Sequence, residues 1–472
     1  MKKFIDIIKK KWLIDTTKTI IMVTILLILF ILLNLGIQNL NLSFIDVTKN
    51  KLFSLSESSK DNIKSVTEEI KIYFFGIEEN SSIIDLAKQY SNENNKISIE
   101  VINISERPDM TNKYGLTENN SALIVQGSEK YKILAPSEFT TYDYSTNSTI
   151  DITEQKLTNA ILDVSTTKRT NVYFLTGHEE IQNNQLLQVY LTNEIYDIEN
   201  LDLLINPFPD NCDCLIIASP SKDFSEYELD IIIDYINNGG KILWLNDIPT
   251  NNLPNVQKIL YLYGATLSSG IVLEEDNNRI IAEYPNYIIP DISYHKITDH
   301  IMTDGALMFF NSTKIDIVDD ETLNNLNVDA TPFIQSSTTS FFRQVFSHSS
   351  NAKTSEEESG PFNLGVEFNK TINESISSKL ILFSNNKFST DTMTIEEQSI
   401  YPISIYSNKD LVLNSVSYLT DKEDSITIRK DTGAITYIST QSQDNIIKCI
   451  IFGIPILIII SGIVVGQIRK RK

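Results

Sequence analysis

The sequence predicts an α/β fold in two successive domains, flanked by one transmembrane helix at each end. Three observations carry that expectation. Short apolar strands alternate with amphipathic helices between residues 69 and 247, the pattern of sheets covered by helices. Two segments, Ile20–Leu33 ("IIMVTILLILFILL") and Ile450–Val465 ("IIFGIPILIIISGIVV"), are almost wholly apolar. Basic residues crowd the outer flanks of both.

Each apolar segment supports a helix of about 20 residues, enough to cross a hydrocarbon core of about 30 Å. A buried globular helix is the plainer reading of either one, but such apolarity at both termini favours membrane spans, placed at 19–37 and 447–468. A cleaved signal peptide is the other reading of the first. The stretch "NLGIQNLNLSF" that follows it has no small-x-small cleavage site, so an uncleaved anchor is expected.

Six lysines against two aspartates give residues 1–18 a charge of +4, and five basic residues give 446–472 a charge of +5. The positive-inside rule puts both termini in the cytoplasm, with tails at 1–18 and 469–472. Residues from about 40 to 445 are then extracytoplasmic, at the plasma membrane of a bacterial cell. With a chain total of −21 and flanks of +4 and +5, this middle section carries −30. A surface so acidic repels phosphate backbones, which excludes nucleic acid as a partner. The tails are too short for an ATPase, and no G-x-x-x-x-G-K-[ST] loop occurs in the chain.

The first domain is expected at 41–150. Ser54 and Glu57 have the spacing of a capping box, opening a helix with Leu55, Ile63 and Val66 as its apolar face. "EIKIYFFG" reads as a strand, "SIIDLAKQYSNEN" as a helix, "KISIEVINI" as a strand. A short helix after Pro108 precedes "SALIVQG" and "KYKIL", two strands around a Gly-Ser turn. The order β-α-β-α-β-β is that of a thioredoxin-like domain, here without a C-x-x-C.

The second domain, at 151–440, opens with the helix "DITEQKLTNAILDVST" and the strand of "NVYFLTGHEE". "CLIIASP", "SEYELDIIIDYINNGG" and "KILWLND" then read as strand, helix and strand. Ser225 and Glu228 make a capping box; Leu229, Ile232, Ile233 and Ile236 form a buried stripe; Gly239-Gly240 stop the helix. Continuous apolar strands between such helices indicate a parallel, Rossmann- or flavodoxin-like sheet. Further on, "GALMFF", "TKIDIV", "FNLGVEFN" and "SKLILFSNN" read as strands, "KDLVLNSVSYLT" as a helix, and Ser347–Gly360 as a mobile loop.

The sharpest candidate site is the turn Thr176-Gly177-His178-Glu179, followed by Glu180. A histidine and carboxylates at a strand end suit acid–base or metal chemistry. The plainer reading is a helix N-terminal turn in which Glu179 and Glu180 face the positive dipole end. The four histidines (178, 295, 300 and 348) are scattered and no H-E-x-x-H occurs. Cys212 and Cys214, on a strand where alternate residues share a face, suit a weak metal or redox pair or, more plainly, small core residues. An amidotransferase-like sheet with activity needs a cysteine on a turn after a strand. The turns "TGHEE", "ASPSKD" and "NDIPT" have none, so that domain is expected to be non-catalytic.

"DVTKNKLFSLSE" after an N-terminal anchor, "ITEQKLTNAILDVS" leading into "VYFLTGHEE", "DCLIIASPSKDFSEYELDIIIDYINNGGKILWL", "GPFNLGVE", "KLILFSNNKF" and "LVLNSVSYLTDKEDSITIRK" occur in that order before a final apolar span. In order and spacing the chain resembles the GldG-like gliding-motility family of ABC-transporter auxiliary proteins over nearly its whole length. The turn departs from the family's Thr-Gly-His-Gly-Glu. The resemblance implies a non-catalytic subunit that accompanies an ABC permease and a cytoplasmic ATPase in the bilayer. It implies no cofactor and no metal, and makes Thr176, Gly177, His178 and Glu179 a structural family marker. A stand-alone surface receptor is the alternative role, and a hydrolase of envelope material a more distant one.

Overall fold

The structure, a computed structural model, describes residues 54–422 apart from 79–80, 117–120, 144–147, 166–168, 181–182, 250, 282–283, 300, 345–352 and 396, together with positions 18, 21, 22, 24, 25 and 28. The expected spans at 19–37 and 447–468 therefore lie outside the described residues but for five exposed helical positions. Among the described residues no helix is long and apolar enough to cross a membrane.

The first core forms on a four-stranded sheet of β1 (Ile70–Phe75), β2 (Ile97–Ile102), β3 (Ala122–Gln126) and β4 (Tyr131–Leu134). Their spatial order is β2-β1-β3-β4, with β1 parallel to β2 and the β3–β4 hairpin antiparallel. Strand residues alternate in facing. Ile70, Ile72, Phe74, Leu123, Val125 and Leu134 turn to one side. There they meet α1 (Glu57–Lys64), α2 (Ser82–Glu93) and α4 (Thr153–Ser165). Phe75 and Ile124 turn to the other, under Met110 of the short α3 (Pro108–Lys113). Helix α4, assigned from sequence to the second domain, buries Leu157, Ala160, Ile161 and Val164 in this first core. The first core thus continues past residue 150 to 165.

The capping box expected at Ser54 and Glu57 is not the one formed. Ser56 is the N-cap, its hydroxyl accepting from Ser59 N at 3.1 Å. Leu55 is buried, and a chain that must bury it starts the helix only afterwards. Ser56 N donates instead to Glu154 Oε1 on α4 at 2.7 Å.

The second sheet has ten strands. Its centre is β5 (Thr170–Leu175), β6 (Tyr196–Leu201), β7 (Cys214–Ala218), β8 (Lys241–Leu245) and, much later in the chain, β13 (Ile376–Phe383). These five are mutually parallel in the order β6-β5-β7-β8-β13. Antiparallel strands extend the sheet beyond β13: β9 (Ala265–Leu267), β10 (Ile315–Ile317), β11 (Val328–Gln335) and β12 (Asn363–Asn373), with the two-residue strand Asp291–Ile292 paired to β11 as the tenth. Val172, Phe174, Cys214, Ile216, Leu243, Leu245, Ile381 and Phe383 face one side, with α5 (Gln185–Asn193) and α8 (Asn408–Leu419). Tyr173, Leu175, Leu215, Ile217, Ile242, Trp244, Leu380 and Leu382 face the other, with α6 (Glu226–Asn237) and α7 (Pro254–Tyr261). Burial on both faces is why these strands are apolar without alternation. Full burial of each aliphatic side chain contributes about 1.5–3 kcal/mol.

The box at Ser225 and Glu228 forms as the spacing predicts. Gly239 ends α6 at φ +86°, a conformation costly to residues with a Cβ. Lys353–Gly360, half of the segment expected to be mobile, is pinned instead. Arg343 Nε lies 2.5 Å from Glu357 Oε1, and Lys314 Nζ lies 2.7 Å from Glu358 Oε2. Between the two cores Arg169 reaches Asp163 of α4 at 2.6 Å and Asp197 of β6 at 2.7 Å.

Candidate functional site

Within the parallel strands the chain runs from β5 outward to β6, then returns to place β7 on the other side of β5. The C-terminal ends of β5 and β7 thus make a topological switch point, the crevice where open α/β sheets hold ligands. The turn 176–180 leaves β5 at this place, and the turn after β7 faces it.

Thr176 N donates to Leu201 O at 2.9 Å, carrying the pairing with β6 one residue past the strand. Gly177 then takes φ +114°, and a Cβ there would lie 3.4 Å from the Asp202 carboxyl group. This reversal swings His178 inward, where it is 4% exposed. Glu179, at φ +57°, points out to Lys222 Nζ at 2.7 Å and Ser221 Oγ at 3.0 Å. Glu180 points in. Among the described residues the turn is not the start of a helix: α5 begins only at Gln185, so the two carboxylates do not cap it. They pair with side chains instead.

Each polar atom of His178 is engaged. Its N–H donates to Glu180 Oε2 at 2.9 Å, and Nδ1 lies 3.2 Å from Glu180 Oε1. Nε2 lies 3.0 Å from Glu228 Oε1, close in distance but off the axis of a good hydrogen bond. Its carbonyl accepts from Ser221 N at 2.9 Å and Lys222 N at 3.1 Å. The ring meets Phe224 edge-on with centroids 4.6 Å apart. The capping box sets up the Glu228 contact: Glu228 Oε2 accepts from Ser225 N and Oγ, both at 2.8 Å, leaving Oε1 for the histidine.

Burial works against a charged His178, but Glu180 and Glu228 outweigh it and raise the ring's pKa above the ordinary value. Burial likewise opposes charge on Glu228. The Ser225 N–H and hydroxyl, then His178, outweigh it and hold that carboxyl below its usual range. Both shifts favour a charged His178 beside an ionised Glu228 over the neutral pair. A charged ring carries an N–H on both nitrogens, and in that form neither nitrogen acts as a base or a metal ligand. Among the described residues no group of three or more His, Cys, Asp or Glu is arranged to hold a metal.

A second histidine is locked in a similar way. His295 Nε2 lies 2.8 Å from Glu367 Oε2, Tyr418 Oη donates to Glu367 Oε1 at 2.6 Å, and Ile297 N donates to His295 Nδ1 at 3.2 Å. His300 and His348 lie outside the described residues, as does the third cysteine, Cys449, beside the second apolar segment. Cys214 packs on one face of the second sheet and Cys212 against the other. They are no pair, because Cys212 precedes the strand whose alternation would have aligned them. Sequence reasoning missed α5 and the edge strand β6, whose "YDIENL" has no clean alternation. It also missed Glu228 as a partner of His178, since 50 residues separate them and only the parallel sheet joins the two turns.

Residues 49–156 match a domain of unknown function. No curated protein sequence matches the chain. Among solved structures, the N-terminal domain of mmIFT52 aligns at 12% identity and TM-score 0.38, over 53% of this chain and 97% of that one. A putative ThuA-like protein from Bacteroides uniformis aligns at 11% identity and TM-score 0.28, over 56% of this chain and 94% of that one. A glutamine amido transferase from Methylobacillus flagellatus aligns at 12% identity and TM-score 0.24, over 38% of this chain and 67% of that one. Residues 169–415, just over half of the chain, match the family described as an ABC-type uncharacterized transport system, and the chain belongs to that family.

Proposed function

We propose that the protein is a membrane-anchored, non-catalytic auxiliary subunit of an ABC-type transport system, of the GldG-like kind. Spans at 19–37 and 447–468 would hold it beside a permease, with both termini in the cytoplasm at a bacterial plasma membrane. A separate cytoplasmic ATPase would supply the energy. The extracytoplasmic part would be a thioredoxin-like domain followed by a flavodoxin-like one, for contact with substrate or a partner. Strand orders β2-β1-β3-β4 and β6-β5-β7-β8-β13 favour that pair of folds.

One observation carries the non-catalytic reading beside the family match. At the switch point, where an enzyme of this architecture keeps reactive groups, the protein's own turn buries His178 with its ring nitrogens 3.2 Å from Glu180 and 3.0 Å from Glu228. Family membership supports the transport role. Photo-crosslinking from Ile25 and Leu457 tests the placement. Capture of a multi-span permease from native membranes is the expected result; crosslinks to lipid alone would remove the proposed docking.

A further inference from the structure

The cluster at the switch point has a property that a purely apolar lock would lack. Glu180 and Glu228 are 5% and 1% exposed, and a single ring stands between them. A doubly protonated imidazole has an N–H on each side, 3.2 Å from Glu180 and, off-axis, 3.0 Å from Glu228; a neutral one has a single N–H and turns a lone pair toward the other. Neither carboxylate is open enough for water to repair that loss. The other charged groups around the turn are already committed. Glu179 and Lys222 pair with each other, Asp223 accepts from Asn255 N and Val256 N at the start of α7, and Glu226 pairs with Lys258. Asp202, beneath Gly177, accepts from Leu204 N. Among the described residues, none of these contacts involves the ring, whose charge faces Glu180 and Glu228.

We propose that residues 176–180 form a proton-controlled latch over the crevice between β5 and β7. With His178 charged, the turn is locked to Ser221, Lys222 and the first turn of α6. With His178 neutral, the turn lets go, and the amides of Ser221 and Lys222 lose the carbonyl that binds them at 2.9 and 3.1 Å. Release opens the place where sheets of this architecture bind ligands. This inference stands independently of the transport role.

The test uses the full chain in mild detergent between about pH 5.5 and 9. Exchange of the histidine C2 hydrogen, read by mass spectrometry, gives the titration of His178. Amide exchange of peptides spanning 219–230, corrected for intrinsic rates, gives the latch. The expected result is a common midpoint above that of an ordinary histidine, with amide protection lost as pH rises through it. Glu228→Gln, and independently Glu180→Gln, should move both midpoints down together, so one folded variant suffices. A titrating His178 with flat amide protection, or a protection midpoint that stays put when the carboxylate is removed, overturns the latch.

Discussion

Glu228→Gln removes one charge from a buried ion pair while keeping an oxygen able to accept from Ser225. Losing one partner of a buried pair costs about 3–5 kcal/mol. Here Glu180 still faces the imidazolium at 3.2 Å, so the cost falls to roughly 2–3 kcal/mol, allowing for part of the pairing to survive. His178→Gln should cost a similar amount, because it leaves two buried carboxylates without their cation. The double variant loses the pair only once, so the single costs should overshoot the double by about 1.5–2 kcal/mol. Urea or thermal unfolding of the full chain at about pH 6 measures all four corners. Each single variant should melt roughly 4–8 °C lower, as expected for a large domain. The pH dependence has a definite sign. The raised His178 pKa gives stability that is complete below about pH 6.5 and lost as pH rises through the folded value. The lowered Glu228 pKa gives stability that is complete above about pH 4.3 and lost as pH falls through the folded value. The coupling should therefore peak between these limits and shrink on both sides. Costs that add to within about 0.5 kcal/mol at pH 6 would refute the clamp.

Gly177→Ala places a Cβ on a backbone at φ +114°, 3.4 Å from Asp202; it should cost about 1–2 kcal/mol in thermal unfolding. Arg169→Met cuts the link between Asp163 and Asp197. The arginine is 38% exposed and Lys132 still reaches Asp163 at 3.1 Å, so solvent screening limits the loss to about 1–2 kcal/mol by the same assay. Burial pushes the Cys212 thiol up to about 12 and raises that of Cys214 as well. At pH 8 iodoacetamide should leave both unmodified in the folded chain and label both in urea, as peptide mass spectrometry would show.

The parts of the fold legible from sequence are those where local pattern and final environment agree. The continuous apolar runs at 172–175, 214–218 and 241–245 lie at the sheet centre, buried on both faces. Ser225 and Glu228 cap their helix using only contacts three residues apart. Strand β6 escaped because an edge strand has one bonded neighbour, and its exposed Glu199 and Asn200 break the apolar pattern. The capping box at Ser54 failed for a tertiary reason, the burial of Leu55 and the long-range bond from Ser56 to Glu154. At the site, the sequence marks His178 and its neighbours but not their roles. Glu179 and Glu180 differ only in which way a left-handed residue turns them. Glu228 joins through a register between β5 and β7 that no local spacing encodes.

The central claim, an auxiliary subunit of an ABC-type transporter, is tested most directly by purifying the tagged protein from its native membrane in mild detergent and identifying what remains bound by mass spectrometry. The account predicts a multi-span permease and a Walker-motif ATPase at near-stoichiometric amounts. A chain that comes away alone, or with cell-wall proteins only, would contradict it.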